Sequence, residues 1–143
     1  MATMGGVKTL TLVSLIKLFK RRNDLYIPTW DGCNVHQSRT NLAKTALEGN
    51  CTHMLFVDSD MTFEEDALDR LLAHDKDIVG VNTHLRKMPL TSTVKLHDEE
   101  GRKVFDAKDI LFECQAVGTG LMLIKMDVFR KLPKPWFFYE VDE

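Results

Sequence analysis

The sequence predicts an α/β domain: a three-layer sandwich around a mainly parallel mixed sheet. Three observations predict it. Helix-like and strand-like segments alternate up to residue 82. The run Met54-Leu-Phe-Val57 is apolar throughout, as in a strand buried on both faces. At 143 residues the chain reads as one domain, 1–143, long enough to bury a core.

Residues 7–20 read as a helix ending in the basic cluster Lys17, Lys20, Arg21 and Arg22, where the helix dipole favours cations. Residues 24–29 read as a short strand, with Pro28 marking an edge or a strand end. Asp31-Gly32 is a turn signal. Asn34 can cap a helix running to Leu47 or Glu48, with Gly49 just past its end. A strand over 53–58, a helix over 63–73 and a strand over 77–82 follow. Thr62 with Glu65 three residues on has the capping-box pattern, and acidic Glu64, Glu65 and Asp66 suit the dipole.

After residue 84 the character changes. Thr91–Leu96 and Arg102–Phe105 flank the turn-like stretch His97–Gly101 and read as a hairpin or a pair of small strands. Residues 110–117 read as a strand. Gly118-Thr119-Gly120 then leads to an apolar strand, Leu121–Ile124. A short helix, Asp127–Leu132, is closed by Pro133, and Trp136–Tyr139 begins a further strand or loop. No repeat and no low-complexity segment is present.

Composition narrows the function classes. Hydrophobic residues are 44% and charged residues 28%, as in ordinary globular proteins. A net charge of −2 lacks the basic excess that nucleic-acid binding through phosphates needs. Cys33, Cys51 and Cys114 are sparse, odd in number and without a CxxC. That argues against a disulfide framework or a zinc site and for a reducing, cytoplasmic setting. The stretch Val7–Phe19, with Thr9, Thr11, Ser14 and Lys17, is too short and too polar to span a bilayer. No cleavage-like site follows it, so it is also a poor signal peptide.

The candidate chemistry centres on Asp58-Ser59-Asp60. Side chains at i and i+2 of a strand share a face, and strand carboxyl ends are where open α/β sheets bind ligands. Two carboxylates there form a hard site suited to Mg²⁺ or Mn²⁺, with phosphate oxygens completing the shell. Asp or Ser after a strand can instead simply cap the next helix. Thr62 offers that helix a cap of its own, which favours the metal reading.

Arg39 is the second candidate. It falls near the middle of the apolar helical face of Val35, Leu42, Ala43, Ala46 and Leu47, where an unpaired charge is very costly. It either ties down a carboxylate or backbone carbonyls, or meets a diphosphate at the sheet's carboxyl edge; snorkelling is a third option. Asn41, on another face, reads as solvated. Gly118-Thr119-Gly120 lacks the phosphate-loop pattern. It is either a plain bend in a strand or a place where a ligand nears the backbone. His36, His53, His74, His84 and His97 show no metal-ligand spacing. His84-Leu-Arg86-Lys87 follows a strand and reads as a solvated loop or as charges facing a phosphate.

Ser38-Arg39-Thr-Asn41-Leu-Ala43, Met54 through Met61, Ala67–Leu72, Asp77–Gly80, Ala116–Ile124, Val128-Phe129 and Pro135-Trp136-Phe137 follow one order. In that order the chain resembles nucleotide-sugar-dependent glycosyltransferases of the GT-A fold, of the bacterial and phage type, over most of residues 34–137. The resemblance implies a nucleotide-sugar donor, an unknown acceptor and a divalent ion, Mn²⁺ or Mg²⁺. It implies that Asp60 binds the metal bridging the donor's diphosphate. Asp58 would lie by the ribose or share the ion, with Ser59 beside them. Such enzymes begin with a base-contacting strand and end with an Asp or Glu base. Only Met1–Gly6 precede the first helix here, and the chain ends on Glu140, Asp142 and Glu143. The expectation is a domain lacking the first strand and the base region, so that binding exceeds turnover, and with an exposed sheet edge open to self-association.

Two other functions fit parts of the pattern. Asp58-x-Asp60-x-Thr62 also matches the first motif of haloacid-dehalogenase-like phosphatases, with Asp58 as nucleophile. Lys125-Met-Asp127 is the nearest approach to that family's later motifs. A non-catalytic nucleotide- or partner-binding domain is the other alternative.

Overall fold

The computed structural model describes residues 2–3, 6–28, 30–31, 34–84, 88–89, 91–95 and 111–138. In chain order they form β1 (Ala2–Thr3), α1 (Thr9–Arg21), β2 (Trp30–Asp31), α2 (Val35–Glu48), β3 (His53–Val57), α3 (Ala67–Ala73), β4 (Ile78–Gly80), β5 (Leu121–Lys125) and α4 (Met126–Lys131).

The sheet overturns the expected fold class. It has three strands in the order β3-β5-β4, and β5 runs antiparallel to both neighbours. Met54 faces Ile124 and Val57 faces Leu121 across one ladder; Ile78 faces Ile124 across the other. The described residues thus form a small α+β fold, a three-stranded antiparallel sheet with four helices, and no mainly parallel mixed sheet. The cause lies in β5. Leu121, Met122, Leu123 and Ile124 are all buried, so β5 needs cover on both faces and a strand on each side. It inserts between β3 and β4, which α3 connects and which would otherwise be neighbours. β1 and β2 form a separate parallel pair, so a two-residue strand does precede α1.

Alternation along the strands builds two cores. Met54, Phe56, Met122 and Ile124 pack on one face against Leu42, Ala43 and Ala46 of α2 and Met126 and Phe129 of α4. Leu55, Val57, Leu121, Leu123 and Val79 pack on the other face against Leu18 of α1 and Leu68 and Leu71 of α3. Burial of Ser38, Leu42, Ala43 and Ala46 is the inward stripe of an amphipathic helix. Asn34 sits at that helix's N-cap, but without a side-chain capping bond.

Several local expectations also change. The helix read over 63–73 begins only at Ala67, and Asp66 rather than Thr62 precedes it. The Phe63 amide donates to Ser14 Oγ at 3.1 Å, and its ring packs into the core, so the chain first crosses to α1. Residues 24–28 are irregular rather than a strand, and they line an apolar cavity of about 390 Å³ between α1 and β3. In the first half of the expected hairpin Ser92 bridges His84 and Lys95 bridges Ala116; its second half lies outside the described residues. Among the described residues, 111–117 show no further strand pairing, and residues 136–138 are irregular. The remaining readings, at Gly32, Cys33, Arg86, Lys87, 96–110, Tyr139, Glu140, Asp142 and Glu143, lie outside the described residues. No described helix is long and apolar enough to cross a membrane.

At the basic end of α1, Arg21 and Arg22 form a clamp. Arg21 Nε and Arg22 Nη1 reach the two oxygens of Asp69 at 2.8 and 2.5 Å, and Arg22 also holds Asp24. The hydrogen bonds from Arg21 and Arg22 hold the Asp69 carboxyl below its ordinary range. A carboxyl depressed in the folded state stabilises above its unfolded pKa, and that contribution is lost as pH falls through the folded value. Asp69→Asn is therefore expected to flatten the acid limb of a plot of melting temperature against pH. An unchanged limb would show that the clamp contributes nothing.

Candidate functional site

The backbone turns where β3 ends. The Asp58 amide donates to the Gly120 carbonyl at 2.9 Å, extending the ladder by one residue. The Met61 amide then returns to the Asp58 carbonyl at 3.2 Å. Asp58-Ser59-Asp60 is therefore a tight turn, and the strand alternation used to place both carboxylates on one face does not apply beyond Asp58. Asp60 is exposed and Asp58 half-buried.

Arg39 projects from α2 to Asp58, with Nη2 at 3.1 Å from Oδ1 and only 18% of its side chain exposed. The buried arginine thus meets a carboxylate, and that carboxylate belongs to the candidate site itself. The contact uses one of five guanidinium donors.

The turn rests on α1. The Ser59 carbonyl accepts from the Lys8 amide at 2.8 Å and from Thr11 Oγ1 at 3.1 Å, while Ser14 Oγ holds the Phe63 amide. Thr11 is 0% and Ser14 3% exposed. Sequence reasoning counted these hydroxyls only against a membrane span. The available signal was their spacing, i and i+3, on the helix face that carries Leu18 inward.

Two further segments meet the turn at this end of the sheet. Gly118-Thr119-Gly120 enters β5 beside it. A Cβ at Gly120 would lie 3.1 Å from Met61 Sδ, and one at Gly118 would lie 2.9 Å from Thr93 Oγ1. The close approach that the glycines permit is taken by the protein's own side chains, and Thr119 stands half-buried between them. Beyond β4, Ser92 Oγ donates to Asn82 Oδ1 at 2.5 Å, and the hydroxyls of Thr83 and Thr93 bond at 2.8 Å. Asn82, Thr83, Ser92 and Thr93 were not singled out from sequence, because only the 84–92 bridge brings them together.

Among the described residues, this end offers two carboxylate groups and one arginine around a braced turn. Among the described residues no group of three or more His, Cys, Asp or Glu could by itself hold a metal ion. Two carboxylates leave most of an octahedral shell to ligand and water oxygens, the arrangement in which Mg²⁺ usually binds phosphates. Lys125 lies at the opposite end of the sheet, facing His53 and paired with Asp75 at 2.8 Å. That is about 17 Å from Asp58 by strand rise.

If α1 positions the turn, Thr11→Val is expected to cost about 1 kcal/mol of stability, the typical net worth of a hydrogen bond, in urea denaturation. No change at all would mean that the Lys8 amide alone suffices for the Ser59 carbonyl.

No family model matches the sequence, and comparison with curated proteins gives no match. Among solved structures the chain is similar to A197 from STIV, at 20% identity and a TM-score of 0.64, over 96% of this chain and 68% of that one. At that identity the likeness shows a shared fold alone.

Proposed function

We propose that the chain binds the donor of a nucleotide-sugar-dependent glycosyltransferase, holding a nucleoside diphosphate sugar through Mn²⁺ or Mg²⁺ at Asp58 and Asp60. The observation that supports this reading is the braced turn itself. It presents two hard oxygen donors at one sheet end, with a largely buried arginine already beside one of them.

The donor set fits such an ion. Asp58 and Asp60 offer carboxylate oxygens only, and diphosphate oxygens would complete the shell. The chemistry the ion supplies when bound is to offset negative charge on the departing nucleoside diphosphate. The chain's own residues do the positioning. Arg39 orients Asp58, and a guanidinium beside a bound diphosphate can also donate to a phosphate oxygen. Thr11 and the Lys8 amide fix the Ser59 carbonyl, and with it the spacing between the two aspartates. Hydroxyls of the Thr83–Thr93 pair stand nearby, where sugar or ribose hydroxyls are recognised by polar groups of this type.

Titration calorimetry with UDP and GDP, each with and without Mn²⁺, tests the proposal. Binding of one nucleotide that requires the metal is expected. No binding in any combination would overturn it.

A further inference from the structure

Helix α1 buries Leu18 in the core, yet it is apolar on its outward face as well. Its inward face buries the hydroxyls of Thr11 and Ser14, which hold the Ser59 and Phe63 backbone. Its outward face carries Leu10, 65% exposed, and Leu12, 50% exposed, with Val13 and Ile16 also exposed. Single exposed aliphatics need no explanation, but four on one helix face form a patch. Tyr26 and Ile27 are exposed as well, and they share the cavity beneath α1 with Leu15 and Phe19.

The charges on this face choose the occupant. At 100° per residue, Lys17 and Lys20 project among Val13, Ile16 and Leu10. Both are exposed, and α1 contains no Asp or Glu. Arg21 is already engaged by Asp69 and is not counted. A twofold pairing of α1 with a second copy would set Lys17 and Lys20 against the same lysines, with no carboxylate on the helix to compensate. A bilayer with anionic headgroups meets both features at once. Aliphatic side chains enter the acyl boundary while lysine stems snorkel their amines to lipid phosphates. Tyr26 has the amphipathic ring that settles at that depth.

We propose that the outward face of α1 docks the protein peripherally on an anionic lipid surface, through Leu10, Leu12, Val13 and Ile16 with Lys17 and Lys20. This proposal is independent of the nucleotide reading.

The test is co-sedimentation with vesicles of neutral phosphatidylcholine and of phosphatidylcholine with phosphatidylglycerol, at low and high salt. Wild type is expected on the anionic vesicles only, with release by salt. Lys17→Glu/Lys20→Glu is expected to lower partitioning roughly tenfold or more. Leu12→Asp/Ile16→Asp is expected to abolish it. All four positions are exposed, and circular dichroism melts establish that each variant folds. Failure of wild type to bind anionic vesicles, equal binding to neutral ones, or binding unchanged in the folded variants would each overturn the proposal. So would a dimer, seen by sedimentation velocity, that Leu12→Asp/Ile16→Asp dissolves without any vesicle binding.

Discussion

Replacing Asp60 by alanine is expected to abolish metal-dependent nucleotide binding, a loss of roughly 100-fold or more in affinity. Groups that merely support a metal ligand typically cost about 10–100-fold when removed, so loss of a ligand should exceed that range. Asp60 is exposed, in a turn held by backbone contacts of Asp58, Ser59 and Met61. A thermal melt without ligand establishes that the variant folds. Arg39→Ala should weaken binding less, about tenfold at most through disturbed orientation of Asp58, but should also lower stability by leaving the half-buried carboxylate unpaired. Calorimetry with Mn²⁺ and the better of UDP and GDP measures both variants. Wild-type affinity in Asp60→Ala would remove the Asp58-Ser59-Asp60 turn from the proposed site.

The largest expected effect on stability lies far from that turn. Phe129→Ala should cost about 3–5 kcal/mol, the usual range for truncating a buried phenylalanine. Phe129 is buried between α2 and the sheet and meets Trp136 edge-on at 5.2 Å, with Phe137 at 6.2 Å. Phe137 in turn stands edge-on to Phe56 of β3 at 5.4 Å. Removing the central ring opens a cavity and withdraws support from the irregular segment at 136–137. Chemical denaturation of the variant measures the loss. A change below about 1 kcal/mol would mean that this cluster closes no core.

Most elements are legible in the sequence. The predicted helix over 7–20 is α1 within a residue or two, and the helix from Asn34 is α2. The apolar runs at 54–57 and 121–124 are β3 and β5. Each shows in the spacing of its own side chains, because burial of one stripe or of a whole run is a local requirement. The position of Asp58-Ser59-Asp60 at a strand end was legible for the same reason.

What only the tertiary structure decided is which segments became partners. A four-residue buried run carries no direction, and the long connection from β4 lets β5 enter the sheet either way. Burial of all four of its side chains favours a central place, whereas its antiparallel direction shows only in the pairing with β3 and β4. Thr62 had the local pattern of a helix cap, but the chain there is held to α1 by the Phe63–Ser14 bond, 49 residues apart, and the helix starts at Ala67. Arg39 required a counter-charge on local grounds, and only the fold chose Asp58. Periodicity is set by neighbours in the chain, whereas strand order, hydroxyl braces and ion pairs are settled by contacts between distant segments that compete for the same buried space.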